Sequence, residues 1–195
     1  MFSIAPADFV KGEGQYEEYR GILGKLQDRA ISRAQEIWKG YSFGGMTPGP
    51  RQFGIASFRA RDIFGGGTST FVKTYGSPGS WANIWSYTVP EDEVHAFAGF
   101  AISDPTLIFA SIRWEIEDKK LPILDIEEAH SFTGGFRFMF KQDDGKEFVV
   151  PEEQAILLRG FQERGTDGRS QRITPLGFVL HKNKDNMIRE TETDD

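Results

Sequence analysis

The clearest hydrophobic pattern in the chain is an alternation along residues 107–117, read LIFASIRWEIE. One set of alternate positions is apolar and comprises Ile108, Ala110, Ile112, Trp114 and Ile116. The other set, from residue 111 onward, is polar and comprises Ser111, Arg113, Glu115 and Glu117. Because successive side chains of a strand point to opposite faces, the segment is predicted to be a strand with one face on a core and one face in water.

Similar short segments, rich in β-branched and aromatic residues, recur through most of the chain. Strands are predicted near residues 53–61, 70–75, 82–89, 94–102, 107–117, 121–127, 134–141, 146–150, 155–162 and 171–181. Turn sequences separate them, and Asp144-Gly145 predicts a hairpin between 134–141 and 146–150. Many short strands without intervening helices indicate a mainly β fold, an antiparallel β-sandwich or a jelly-roll barrel.

The first forty residues have a different pattern. In residues 1–14, prolines and glycines interrupt the apolar side chains Phe2, Ile4, Phe9 and Val10, which predicts an extended arm that packs on a neighbouring molecule or on its own domain. Residues 15–39 repeat apolar positions every three or four residues, which predicts one amphipathic helix. The predicted organisation is an arm and helix in 1–40, a β domain in 41–181 and a polar tail in 182–195.

Composition limits the class of protein. The 195 residues suffice for one domain with a sizeable core, and 17 phenylalanines and 22 glycines fit many strands and turns. The absence of cysteine excludes disulfides and cysteine-ligated zinc. The net charge of -6 argues against a protein that binds nucleic acid directly. No segment resembles a signal peptide or reaches the roughly 18 apolar residues of a transmembrane segment.

No residue pattern identifies a metal or cofactor site, and none is predicted. The three histidines, His95, His130 and His181, lie far apart and at no spacing typical of metal ligands. A cupin-like metal site would need such residues clustered on neighbouring strands, and only Glu127 and Glu128 beside His130 approach that pattern. The glycines at 65–67 lack the lysine of a phosphate-binding loop and are interpreted as a turn.

Pairs of carboxylates occur at residues 91–93, 127–128 and 152–153. Glycosidases use two carboxylates a few ångströms apart, but adjacent residues on a strand point to opposite faces. These acids are therefore interpreted mostly as solvated turn charges. The protein is expected not to be an enzyme, and a cupin-like or hydrolytic enzyme is the less favoured reading.

Two groups of side chains are candidates for contacting a ligand or partner. Trp85 and Tyr87 share one strand face, and Trp81 can join them in an aromatic platform that suits a sugar, although buried aromatics are commoner in β cores. The basic concentration of the chain comprises Arg159, Arg164, Arg169 and Arg172. Arg164 and Arg169 are candidate contacts to an acidic partner, against the alternative of a solvated hairpin with local ion pairs.

The layout of an arm and helix in 1–39, antiparallel strands in 53–181 and a short tail resembles the single-jelly-roll capsid proteins of icosahedral viruses. The resemblance implies a virion structural protein, either a capsid or an accessory capsid, tail or spike subunit, that self-assembles through its arm and loops. It also implies a homo-oligomer that contacts other structural proteins of the same particle. The expected location is the virion, with the cytoplasm as the alternative. The arm of this chain contains the acidic residues Asp8 and Glu13, whereas many capsid proteins hold the genome with a basic arm. The alternative function is a carbohydrate- or surface-binding β-sandwich module.

Overall fold

The computed structural model describes residues 2–3, 13–46, 48–65, 67–74, 78–102, 109–117, 119–121, 123–125, 137–140, 148–162 and 170–182. Two helices and thirteen strands lie within them. The helices are α1 (Glu13–Ile37) and α2 (Ala60–Phe64). The strands are β1 (Phe2–Ser3), β2 (Ser42–Phe43), β3 (Gln52–Ser57), β4 (Val72–Thr74), β5 (Ser80–Thr88), β6 (Glu93–Ile102), β7 (Phe109–Ile116), β8 (Lys119–Lys120), β9 (Leu124–Asp125), β10 (Arg137–Phe140), β11 (Val149–Val150), β12 (Ala155–Gln162) and β13 (Ser170–His181).

The described strands form two sheets that pack face to face as a β-sandwich, which confirms the predicted fold class. The large sheet has the order β1-β10-β6-β13-β3-β2, with β11 beside β6 and β4 beside β13. The small sheet has the order β5-β12-β7-β8, with β9 beside β7. The described pairings are antiparallel except for the short parallel pair of β2 with β3.

Apolar side chains from both sheets form the core between them. Trp85 of β5 and Trp114 of β7 lie at its centre, with ring centroids 5.6 Å apart. The alternation along β7 is confirmed, because Ile112 and Trp114 are buried while Arg113 points to the outer face. One detail differs from the prediction: a register shift brings Phe109, rather than Ala110, into the core.

The helix predicted over residues 15–39 is confirmed as α1. It lies on the outer face of the large sheet, where Leu26, Ala30 and Ala34 are buried in a second core. The two alanines are fully buried, and their small side chains allow the helix to approach the strands closely. Trp38, just after the helix, packs edge-on against Phe53 of β3 at 5.4 Å between ring centroids. No helix in the described part of the chain is long and apolar enough to cross a membrane.

The predicted hairpin around Asp144-Gly145 is wrong for the strands that the structure describes. β10 pairs with residues 99–101 of β6, and β11 pairs with residues 95–96 of the same strand. Both pairings are antiparallel, so β10 and β11 run in the same direction and cannot form a hairpin with each other. The dipeptide indicates a turn, but it does not reveal that a third strand, β6, pairs with both flanking segments.

The strand predicted over 53–61 ends earlier than expected. β3 stops at Ser57, and α2 follows from Ala60. The Asp62 carboxylate accepts hydrogen bonds from the backbone N–H of Arg59 at 2.7 Å and from its guanidinium at 2.9 Å. These contacts hold the start of the short helix against the end of the sandwich.

Candidate functional site

A β-bulge divides the aromatic residues that were predicted to form one platform. β5 pairs with β12 in a register that shifts, so that Trp85 faces Leu158 whereas Asn83 faces Arg159. The extra residue is Ile84, which is buried next to Trp85. A bulge of this kind reverses the alternation of side chains along a strand.

The consequence is that the three aromatic side chains do not share a surface. Trp85 is completely buried in the inter-sheet core, and Tyr87 packs against the same core. Trp81 lies on the opposite, outer face of the small sheet, where it pairs with Phe161 across the strands. Of the predicted platform, only Trp81 is therefore placed to contact a partner.

The other predicted contact residues lie mostly outside the described part of the chain. This applies to Arg164 and Arg169, and to three residues of the arm, Ile4, Phe9 and Val10. The fourth arm residue, Phe2, belongs to β1 and pairs with Phe140 of the same chain. The start of the arm therefore adds a short strand to the large sheet of its own domain.

The outer face of the small sheet carries a mixed aromatic and charged surface, which we call the outer patch. Its residues are Trp81, Asn83, Arg113, Glu115, Leu157, Arg159 and Phe161. The strand registers place Arg159 between Asn83 and Arg113, and Leu157 beside Glu115. Helix α1 contacts strands of the large sheet, and the short α2, which contacts β5, buries Ile63 in the core between the sheets.

The aromatic part of the outer patch is held together by ring contacts. The centroids of Trp81 and Phe161 are 5.7 Å apart in a tilted arrangement. The guanidinium carbon of Arg113 lies 5.0 Å from the Trp81 ring centre, which is cation–π distance. These contacts fix the indole on the sheet surface, so that it presents a rigid apolar area with little rotamer entropy to lose on binding.

The charged part of the outer patch centres on Glu115 and the two guanidinium groups, and the register places Lys120 opposite Glu115 and Asp125 opposite Ser111 at its edge. Arg113 donates from Nε to Glu115 Oε1 at 2.9 Å, and its Nη2 lies 2.6 Å from the same oxygen. Arg159 Nη1 is 3.9 Å from that oxygen, too far for a hydrogen bond. Its Nε is buried and has no hydrogen-bond partner among the described residues. Glu115 is therefore matched to Arg113, whereas Arg159 keeps unused donors.

A second ionisable cluster, which was not predicted, lies between the two sheets. His95 Nε2 is 2.7 Å from Glu93 Oε2, and His181 Nδ1 is 3.1 Å from Glu93 Oε1. The Tyr87 hydroxyl lies 2.9 Å from His95 Nδ1. Both histidines are completely buried, and Phe58 packs edge-on against the ring of His95. We call these four polar residues, Tyr87, Glu93, His95 and His181, the buried cluster.

Burial and neighbouring charge set the ionisation of the buried cluster. Burial alone would raise the pKa of Glu93, but the contacts with His181 and His95 outweigh it and lower that pKa to about 2. Burial, together with the charges of Glu93 and Asp62, raises the pKa of Tyr87 well above its usual value. At neutral pH the carboxylate is therefore ionised and the phenol is protonated.

Sequence spacing could not reveal the buried cluster, because β6 and β13 bring together residues far apart in the chain. The strand register pairs His181 directly with Glu93. Interpreting residues 91–93 as solvated charges was wrong for Glu93, although Glu91 is exposed and Asp92 forms a surface ion pair with Lys182 at 2.7 Å. The one signal was that Glu93 and His95 alternate with apolar residues within a strand that is otherwise apolar.

Two cavities of the described structure lie away from the buried cluster. One, of about 580 Å³, lies between α1 and the segment from Val149 to Gln154. Another, of about 430 Å³, lies beside Tyr41 and Arg51 at the surface. No group of three or more acidic or histidine side chains in the described residues is arranged to hold a metal ion. The arrangement suits a buried polar network that links β5, β6 and β13.

Comparison of the chain with protein-family models, with curated proteins and with solved structures found no match. The functional proposal therefore rests on the geometry of the outer patch and the buried cluster. The two differ in exposure: the side chains of the outer patch are partly exposed, and the histidines of the buried cluster are completely buried.

Proposed function

We propose that this protein is a non-catalytic structural subunit that associates with further copies of itself through the outer patch. The observation that carries the proposal is the composition of that face, where Trp81 and Phe161 lie beside the guanidinium groups of Arg113 and Arg159. Tryptophan and arginine are enriched among the residues that contribute most to binding at protein interfaces. A sheet face of this composition suits a second protein surface.

The resemblance to single-jelly-roll capsid proteins supports a particular kind of assembly. We propose that the subunit belongs to a virion shell or to an accessory capsid, tail or spike component, together with other structural proteins of the particle. We assign the arm a secondary part in assembly, because Phe2 and Ser3 pair with β10 of the same chain. The buried cluster supports a non-catalytic role, because its ionisable groups are enclosed between the sheets.

A second candidate function is the binding of an acidic carbohydrate at the same face. The observation that favours it is the guanidinium of Arg113 held 5.0 Å from the centre of the Trp81 ring. An indole face suits a sugar ring, and a guanidinium suits a carboxylate or sulfate on it. Glycan-array binding that disappears in Trp81→Ala would favour this function, and an array without signal would remove it.

The proposed function is tested by the mass of the protein in solution, measured by light scattering after size exclusion. The wild-type chain is expected to elute as a multiple of its 22.0 kDa monomer mass, and the double variant Trp81→Ala/Phe161→Ala as the monomer. Met46→Ala is the control, because it removes an exposed apolar side chain between β2 and β3 of the large sheet and should leave the mass unchanged. A wild-type mass of 22.0 kDa at every concentration would contradict the proposal.

A further inference from the structure

We infer that two copies meet face to face about a two-fold axis, with Arg159 of each copy bound to Glu115 of the other. The inference rests on the proposed function and adds to it the residues that pair and the symmetry of the contact. It follows from the unequal way in which the two arginines of the outer patch share one carboxylate.

In its contacts with the described residues, the carboxylate of Glu115 uses one of its two oxygens. Among the described residues, its contacts with Arg113 and Arg159 all involve Oε1. The second oxygen, Oε2, keeps its capacity to accept hydrogen bonds. The Glu115 side chain is 12% exposed and lies opposite Lys120, and a carboxylate commonly receives two parallel hydrogen bonds from a guanidinium, so Oε2 can accept from a further donor at the exposed edge of the group.

Arg159 has the complementary deficiency. Its side chain is 32% exposed, its Nη1 lies 3.9 Å from Glu115 Oε1, and its buried Nε has no hydrogen-bond partner in the described part of the chain. It also lies directly opposite Arg113 on the neighbouring strand, so two like charges are adjacent. A carboxylate from outside the chain would not reach the buried Nε, but at the exposed end of the guanidinium it would balance the second positive charge.

Symmetry makes a second copy the natural source of that carboxylate. A two-fold interface brings the same patch of both molecules together, so a donor and an acceptor on one patch form their contact twice. Arg159 on β12 and Glu115 on β7 are such a pair, because they lie on adjacent strands and two register positions apart. Face-to-face stacking would also cover Trp81 and Phe161, which lie on the same face.

Charge reversal tests this pairing without relying on loss of function alone. In Arg159→Glu, two acidic residues would oppose each other at both contacts, and in Glu115→Arg two basic residues would do so. Each variant alone is expected to run at 22.0 kDa by light scattering. Mixed in equal amounts, they should form a heterodimer, because the acidic residue at 159 of one chain then meets the basic residue at 115 of the other, and both contacts are restored.

The control is Arg33→Glu, a charge reversal at a position on α1 whose side chain is 49% exposed, which should keep the wild-type mass. Far-UV circular dichroism checks the fold of each variant. If Glu115→Arg does not fold, Glu115→Gln replaces it and should weaken dimerisation about tenfold or more. A wild-type oligomer that persists in Arg159→Glu, or two monomeric variants that fail to combine, would overturn the pairing and leave the proposed function standing. A monomeric wild type would overturn both.

Discussion

The outer faces of the two sheets differ in what covers them. On the large sheet, Phe53 and its apolar neighbours are sealed beneath α1, and no part of the Phe53 side chain is exposed. On the small sheet, Phe161 and Trp81 are only partly buried, and α1 contacts strands of the other sheet. The chain thus completes one sheet with its own helix, and we propose that a second copy completes the other.

The clusters around Glu93 and Glu115 differ in the same way, in how far the chain itself supplies the contacts of the carboxylate. Glu93 is enclosed between the sheets, where each of its oxygens contacts one histidine. Glu115 lies on the outer face, where the contacts from two arginines go to a single oxygen. In the first cluster both oxygens of Glu93 lie beside a histidine, although the ring nitrogens of His181 make no hydrogen bond among the described residues, and the cluster serves stability. The second uses only Oε1 of Glu115 in its contacts with the described residues, and we assign it to association.

The largest expected difference concerns the two phenylalanines on the outer faces. Phe53→Ala should lower the free energy of unfolding by about 3–5 kcal/mol, because it leaves a cavity beneath α1 and Trp38. Phe161→Ala should lower it by less than about 1 kcal/mol in the monomer, since that ring is already partly in water. Urea denaturation at low protein concentration measures both values. Similar losses for the two variants would contradict the contrast between the faces.

The next effect is the pH dependence that arises from Glu93. Its pKa falls from 4.5 to about 2 on folding, so the carboxylate binds protons more weakly in the folded state. The resulting stability is present above about pH 4.5 and is lost as pH falls towards 2, a change of about 3 kcal/mol. Thermal unfolding across this range should show the loss.

Glu93→Gln is the matched control for that pH dependence. The variant should be less stable than the wild type at neutral pH, because two buried histidines lose their carboxylate, but its stability should change less between pH 4.5 and 2. Equal pH dependence in the two proteins would show that other carboxylates dominate the acid response and that the cluster is not the acid-sensitive element.

A smaller difference in stability is expected between substitutions on the two faces of β12. Gly160 faces the core, and a Cβ atom there would lie 2.2 Å from the ring of Phe109, which is almost completely buried. Gly160→Ala should therefore cost about 1–3 kcal/mol through overpacking. Arg159→Ala, one residue earlier on the outer face, should change monomer stability by roughly 0.5 kcal/mol or less. Chemical denaturation measures the change in the free energy of unfolding for both variants. A smaller loss for Gly160→Ala than for Arg159→Ala would contradict the packing of Phe109 against residue 160.

The smallest effect is the coupling of Arg113 with Trp81. A double-mutant cycle with Arg113→Ala and Trp81→Ala should give an interaction energy of about 0.5–1 kcal/mol, as expected for a cation–π pair at a partly exposed site. The cycle is measured on the monomer in dilute solution, so that association does not contribute. A coupling energy near zero would mean that the guanidinium does not hold the indole in place.

Much of the fold could be predicted from the sequence because it rests on local patterns. The apolar repeat gave α1 within two residues at each end, and alternation gave the two faces of β7. The division of Trp81 from Trp85 could not be predicted, because a single extra residue at the bulge reverses the alternation. The buried cluster could not be predicted either, since the pairing of Glu93 with His181 depends on how β6 and β13 align.

The central claim is that copies of the chain meet through the outer patch, and a spin label at Asn83 tests it most directly. The chain has no cysteine, so Asn83→Cys gives one labelling site on the exposed outer face of β5, and Met46→Cys gives a control site elsewhere on the surface. The account predicts dipolar broadening between copies for the label at 83 and none for the label at 46. An assembled protein with broadening at 46 alone, or at neither position, would contradict the claim.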